Sequence, residues 1–451
     1  MQSYCISFDH SRNLRSGCAG MKRSRTFTPS PLQVIPLILL SAVSTQAGTP
    51  DASTSRDVPA AAPAAAADWL TGEGVNLGNM LFPHIHFQTA WGRTSSSLGH
   101  EQGAGHHDPV EDGWTVQGIE LGMSARFTDH IEAFGSWHGF WENESPNDFD
   151  HDFEEYFLKL KDLPGGFDIR GGRYLNRFGL HNNTHLHAWD WTDNYLMNGR
   201  FLGDDGMYTT GAELTWHLPV SWTSTLSISA GDASHPEHEH EHEEEDHEEH
   251  GALFEAEGAV FDSTLYTVNW TNAWNVTDFH QWRAGASFAW GDNVWGRRTT
   301  VAGAHLEYQW REKGLERGGD YFRWRTEAML RRASAISGHL PGEEEEDHED
   351  EEMPVFGSFD EWGLYTSLSY GRALANGSVL EGSLRYEYVD GSSEAGLPRR
   401  HRISPGVTWH LNSLRTAYFR GQVNFDDIED HGREESVWLS FGLNWGGAEV
   451  R

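Results

Sequence analysis

From about Leu81 to Trp445 the chain cycles between stretches of roughly 10–14 residues in which apolar and polar side chains alternate, with polar connections between them. A period of two is the strand signature, because successive side chains leave a strand on opposite faces. In 380–388, Leu380, Leu384, Tyr386 and Tyr388 share one face, while Glu381, Ser383, Arg385 and Glu387 share the other. In 322–330, Phe322, Trp324, Ala328 and Leu330 alternate with Arg323, Arg325 and Glu327. In 437–445, Val437, Leu439, Phe441, Leu443 and Trp445 alternate with Ser440, Gly442 and Asn444.

The pattern predicts about 16 strands. The first eight begin near Leu81, Trp114, Asp129, Asp152, Phe167, Met207, Ser221 and Gly258. The second eight begin near Asp278, Arg297, Asp320, Ser358, Asn376, Pro398, Ser413 and Val437. Connection lengths alternate as well. The even-numbered ones are mostly short, as at 163–166, 218–220 and 373–375, whereas the odd-numbered ones include 93–113, 142–151, 177–206, 231–257, 333–357, 391–397 and 426–435. A β-sandwich shares the period of two but has no reason to gather its charged insertions at one rim. Short periplasmic turns facing long extracellular loops are the outer-membrane pattern. The expected fold is therefore all-β, a transmembrane antiparallel β-barrel of the outer-membrane type over 75–451, with 14–18 strands compatible with the sequence. The apolar set then faces lipid, and Arg323, Arg325, Glu327, Glu381, Arg385, Glu387, Arg400, Arg402 and Arg420 line the pore.

The N-terminus agrees. Met21 opens a basic stretch, 31–43 is a short apolar run, and small residues end at Ala47, so 1–47 reads as a secretory signal. Residues 48–74 are rich in Ala and Pro and read as a periplasmic linker. Both cysteines, Cys5 and Cys18, lie within 1–47 ahead of its basic stretch, which leaves no disulfide framework in the remainder.

Composition narrows the function. The chain of 451 residues holds 33 Lys+Arg against 68 Asp+Glu, a net charge of −35, with 26 His and a mean hydropathy of −0.60. So acidic a chain offers no basic face for nucleic acid. Residues 1–47 hold five bases and one acid, so the remaining 404 stand at −39. Two runs, 235–250 and 343–352, carry nine acids each on the rim expected to be extracellular. The first also contains His235, His238, His240, His242, His247 and His250, whose imidazoles and neighbouring carboxylates suit Zn²⁺ or another borderline divalent cation. His100, His106, His107, His151 and His348 fall on the same rim. Its formal H-E-x-x-H match is compositional, because a zincin needs that motif on a helix. No G-x-S-x-G occurs and no nucleophile set stands out, so the chain does not read as an enzyme.

A second feature is the connection 177–206, carrying His181, His185, His187, Asp190 and Asp193 among Trp, Tyr, Leu and Phe. That apolar content is unlike a floppy loop and suits a segment that folds inward to narrow the pore. His185, His187 and Asp190 are its metal-ligand candidates. Gly172-Arg173, Phe178-Gly179, His185, His187-Ala188-Trp189-Asp190 and Phe201-Leu202-Gly203 resemble bacterial outer-membrane proteins described as zinc-regulated receptors. The resemblance covers about 40 residues closely and implies zinc or divalent-metal acquisition. A plug of the TonB-dependent kind needs far more chain ahead of the barrel than 48–74, so a porin-like passage fits better than energised transport. The expected partners are outer-membrane lipid and divalent metal ions, with a homo-oligomer left open and no prosthetic group. The competing reading is a general or anion-biased diffusion porin whose acidic loops bind no metal specifically.

Overall fold

The computed structural model describes residues 80–95, 107–109, 112–141, 149–204, 206–233, 259–316, 318–337, 355–392, 395 and 397–446. The signal 1–47, the linker 48–74, both acidic runs, and His100, His106 and His348 lie outside the described residues.

Sixteen antiparallel strands close into one barrel. They are β1 (Leu81–Thr94), β2 (Asp112–Arg126), β3 (Ile131–Trp141), β4 (Phe149–Leu163), β5 (Phe167–Leu175), β6 (Tyr208–His217), β7 (Thr223–Asp232) and β8 (Phe261–Thr277). The wall continues with β9 (His280–Asn293), β10 (Arg298–Arg311), β11 (Tyr321–Ser337), β12 (Val355–Ala373), β13 (Val379–Val389), β14 (Arg400–His410), β15 (Ala417–Ile428) and β16 (Gly432–Gly446). Each strand pairs with its sequence neighbours, and β16 returns to β1 in a register that sets Ile85 opposite Trp445 and Trp91 opposite Leu439. Closure leaves every strand paired on both sides, which is what a sheet without water around it requires.

All sixteen expected strands are present. One expected loop is not: β15 runs to Ile428 and β16 begins at Gly432, so the long connection expected over 426–435 is a tight turn. Asp426 is the reason. It sits on the inner face of β15, where the guanidinium nitrogens Nε of Arg400 and Arg402 donate to it at 2.8 and 2.9 Å, so an acid that looks like loop chemistry is a wall residue.

The alternation sorts by face. Leu330, Val407 and Leu439 remain 54%, 54% and 53% exposed, as do many apolar neighbours, whereas Glu120, Glu213, Glu327, Arg385 and Glu387 are no more than 3% exposed. In water each bare apolar face would cost about 25 cal/mol per Å²; against hydrocarbon it costs nothing. Apolar outside, charged inside and closed, this is a barrel of the bacterial outer membrane.

The lumen is filled from within. Between β5 and β6 the chain turns into the barrel over 176–207, with a 3₁₀ turn at Leu186–Ala188 and the helix α1 (Leu196–Leu202). Phe178, Trp191, Tyr195, Leu196, Met197, Phe201 and Leu202 pack with Leu265, Val301, Met329, Tyr365 and Val389 of the wall, all nearly inaccessible. A small apolar core thus sits inside a polar barrel, and it holds the segment as a plug.

Candidate functional site

The neck of the plug is tied by amide side chains. Asn182 Nδ2 donates to the carbonyls of Asn176 and Met207, and its Oδ1 accepts the Met207 N–H at 2.8 Å, so one side chain joins both ends of the segment. Asn176 Nδ2 donates to Thr209 Oγ1, and its Oδ1 accepts from Ser229. Gly179 follows at φ 63°, where a Cβ would be strained and would overlap the Glu327 carboxylate. That close approach lets the Leu180 N–H donate to Glu327 at 3.1 Å, with the Tyr365 hydroxyl donating to the same oxygen. Helix α1 begins with its Leu196 N–H donating to Glu387 at 2.9 Å and ends at Gly203 with φ 101°. The carboxylate takes one of the first-turn N–H groups, and Gly203 supplies the positive φ at which the helix stops.

Two charged systems then separate. The first faces β11–β15. Asp190 pairs with Arg323 and, at 2.6 Å, with Arg325. Asp193 accepts from Arg385 Nη2 at 2.8 Å, Arg402 Nη1 at 2.9 Å, Gln422 at 2.5 Å and Asn424 at 2.7 Å. Burial works to raise both aspartates, and the guanidiniums overrule it, holding both carboxyls below the usual carboxylate range. Arg420 Nη2 donates to the Trp189 carbonyl at 2.8 Å, Glu381 accepts from the Tyr321 hydroxyl, and Arg400 is held by Asp426. The nine residues expected to line the pore all turn inward; several hold the plug rather than an open aqueous channel.

The second system faces β1–β4 and is built from histidine and glutamate. His185 Nδ1 lies 2.8 Å from Glu120 Oε1, and its Nε2 lies 2.9 Å from Glu155 Oε2, with no side-chain exposure. Glu154 Oε2 is 3.5 Å from the same Nδ1. His187 Nδ1 lies 2.8 Å from the other Glu120 oxygen, and its ring stacks on His86 at 3.6 Å between centroids. His107 meets His138 edge to face at 4.4 Å. A β-bulge makes this density of ligands fit: Ser136 pairs with Glu155 but His138 with Asp152, so β4 has one residue more than β3 there. The extra residue turns both Glu154 and Glu155 into the lumen between outward Phe153 and Tyr156.

Three sets of side chains, each offering one ligand atom apiece within 4.8 Å of one another, could hold a cation: His86, Glu120 and His187; Glu120, Glu154 and His185; His107, His138 and Glu154. His185 and His187 of the expected site are therefore together here. Asp190 is not with them, because Arg323 and Arg325 claim it on the other side of the lumen. His235, His238, His240, His242, His247 and His250 fall outside the described residues. His86, His138, Glu154 and Glu155 do not stand out as ligands in the sequence. The H-I-H-F-Q alternation at His84–Gln88 and the Glu-Glu doublet inside β4 were the signals that could have found them.

The pH response of the plug follows from His181. Burial pushes its imidazole down to about 4 from an ordinary 6.5, and the Asn194 side-chain Oδ1, 3.0 Å from Nε2, offsets part of this. The seated segment refuses a proton that a released one binds, so docking is full above about pH 6.5 and weakens as pH falls toward 4, by up to about 3 kcal/mol at 1.36 kcal/mol per unit. Limited proteolysis of 176–207 should speed up between about pH 7 and pH 4.5, and H181N should flatten that dependence. Equal pH slopes in both proteins would exclude His181 as the cause.

No protein-family model matches the chain. A relative from Aquifex aeolicus (strain VF5), described as an uncharacterized protein, is 33% identical over 67 residues, spanning 15% of this chain and 14% of the relative. Among solved structures, OprB of Pseudomonas putida at high pH matches with a TM-score of 0.48 at 10% identity, covering 81% of this chain and 93% of that one. An anion-selective porin from Comamonas acidovorans matches with 0.46 at 12% identity, covering 81% and 99%. The outer-membrane channel DcaP of Acinetobacter baumannii matches with 0.45 at 9% identity, covering 81% and 96%.

Proposed function

We propose that this protein is a porin-like outer-membrane channel, not an enzyme, through which a divalent metal ion, zinc above others, enters the periplasm. One observation carries the reading: His185 and His187, on a segment folded into the lumen, face Glu120, Glu154 and Glu155 of the wall in an arrangement rich in nitrogen and carboxylate oxygen. Imidazole with carboxylate is a donor set for zinc and its neighbours in the transition series, whereas magnesium and calcium take oxygen. The run 235–250 would collect the ion at the cell surface. The anion-porin alternative needs arginines free to meet solute, yet Arg323, Arg325, Arg385 and Arg402 are engaged by Asp190 and Asp193.

Planar-bilayer conductance tests the reading. Micromolar Zn²⁺ should reversibly depress the potassium chloride current of the full-length protein by occupying the lumen, and H185A/H187A should abolish that block. Current indifferent to zinc in the wild type would leave a general diffusion pore.

A further inference from the structure

The three ligand sets are not scattered. The first shares Glu120 with the second, and the second shares Glu154 with the third. They lie side by side on the wall, where His86 pairs with Glu120 and Glu120 with His138. His107 belongs to the long β1–β2 connection, and His138 lies near the end of β3 that leads into the next long connection, so the third set opens toward the extracellular rim. The first set, with His86 of β1 and His187 of the plug, is the other end of this chain of shared carboxylates. The second set, with His185 on the plug, stands between them. We propose that these sets form a three-station relay that hands a borderline divalent cation along the face between plug and wall, from His107 and His138 through Glu154, His185 and Glu120 to His187 and His86. The inference rests on the metal-channel reading above.

Three features of the chemistry favour passage over permanent retention. Structural zinc sites close with four protein ligands, while three leave a position for water or an exchanging group; each station offers three. A zinc ion holds its ligands at about 2.0–2.2 Å, so atoms around one ion stand no more than about 4 Å apart. The spread of up to 4.8 Å is therefore slightly open, and binding draws the side chains inward without a rigid cage. The shared carboxylates supply the hand-over: Glu120 and Glu154 each have two oxygens, so one can take up the ion while the other still holds it. Conduction requires sites tight enough to enter and weak enough to leave, set side by side. No bond other than metal–ligand bonds forms or breaks, and each station holds at least one glutamate to offset part of the ion's charge.

The test uses purified full-length protein in vesicles loaded with a zinc-sensitive dye, with H138Q, E120Q and H86Q compared to wild type. Heat-dependent gel migration first verifies that each barrel is folded. Each substitution should slow zinc entry by about tenfold or more, the scale on which perturbing a metal site acts. H86Q should still bind zinc in equilibrium dialysis at the stations it leaves intact, so that passage fails while capture survives. Zinc entry in the wild type that all three variants leave unchanged overturns the relay and spares the channel reading. Zinc held without exchange, or no zinc entry in the wild type, overturns the relay too, the latter taking the channel reading with it.

Discussion

Replacing Asp193 with Asn should unseat the plug and raise ion conductance several-fold. The carboxylate is 4% exposed and accepts from two guanidiniums and two amides. An amide in its place keeps the shape but removes the charge, and it turns an NH₂ group toward a donor. Arg385 would retain Glu387 and Arg402 would retain Asp426, so the wall stays intact while the plug loses its hold. Breaking a buried pair by neutralising one partner costs about 3–5 kcal/mol, a large share of what one small packed segment can hold. Single-channel recording reads the result directly: larger, noisier currents from D193N, with the folded barrel unchanged by gel migration. Currents equal to wild type would mean the plug is held without this latch.

Trp191→Ala should produce a similar opening by a different route. Trp191 is 2% exposed, lies under the Arg385 guanidinium at 4.7 Å, and reaches the wall at Gly406. Truncating a buried Trp removes its transfer free energy and leaves a cavity, together about 3–5 kcal/mol. The signature that separates this from the charge effect is rescue. An apolar cavity accepts an apolar guest, so indole should lower the W191A current toward wild type and leave D193N unchanged. Failure of indole to act on W191A would point to wholesale loss of the plug rather than a vacated pocket.

The wall was legible because a period of two runs along most of each strand, and lipid outside with charge inside makes that period strong. The strand starting near Val437 in the sequence reaches back to Gly432, since Arg433, Glu434 and Glu435 read as loop until Asp426 and Arg400 are seen on the inner face. What periodicity does not carry is which distant strands meet the same inward segment. Asp190 and Arg323 lie far apart in the chain, and no spacing rule joins them; closure of the barrel and the reach of the plug do. The same reason hid most of the histidine–glutamate line. His185 and His187 stood out as a pair of histidines, but their partners come from β1, β2 and β4, and Glu154 faces inward through a bulge that breaks the alternation. Asp190 looked like a third ligand by proximity in sequence; the two arginines of β11 decide otherwise.

Zinc-edge anomalous scattering from crystals of the full-length protein equilibrated with micromolar Zn²⁺ tests the central claim most directly. A peak within about 2.0–2.2 Å of a His185 or His187 nitrogen and a Glu120 or Glu154 oxygen is the predicted result. Zinc confined to the outer surface, with the interior of the barrel empty of anomalous density, would contradict it.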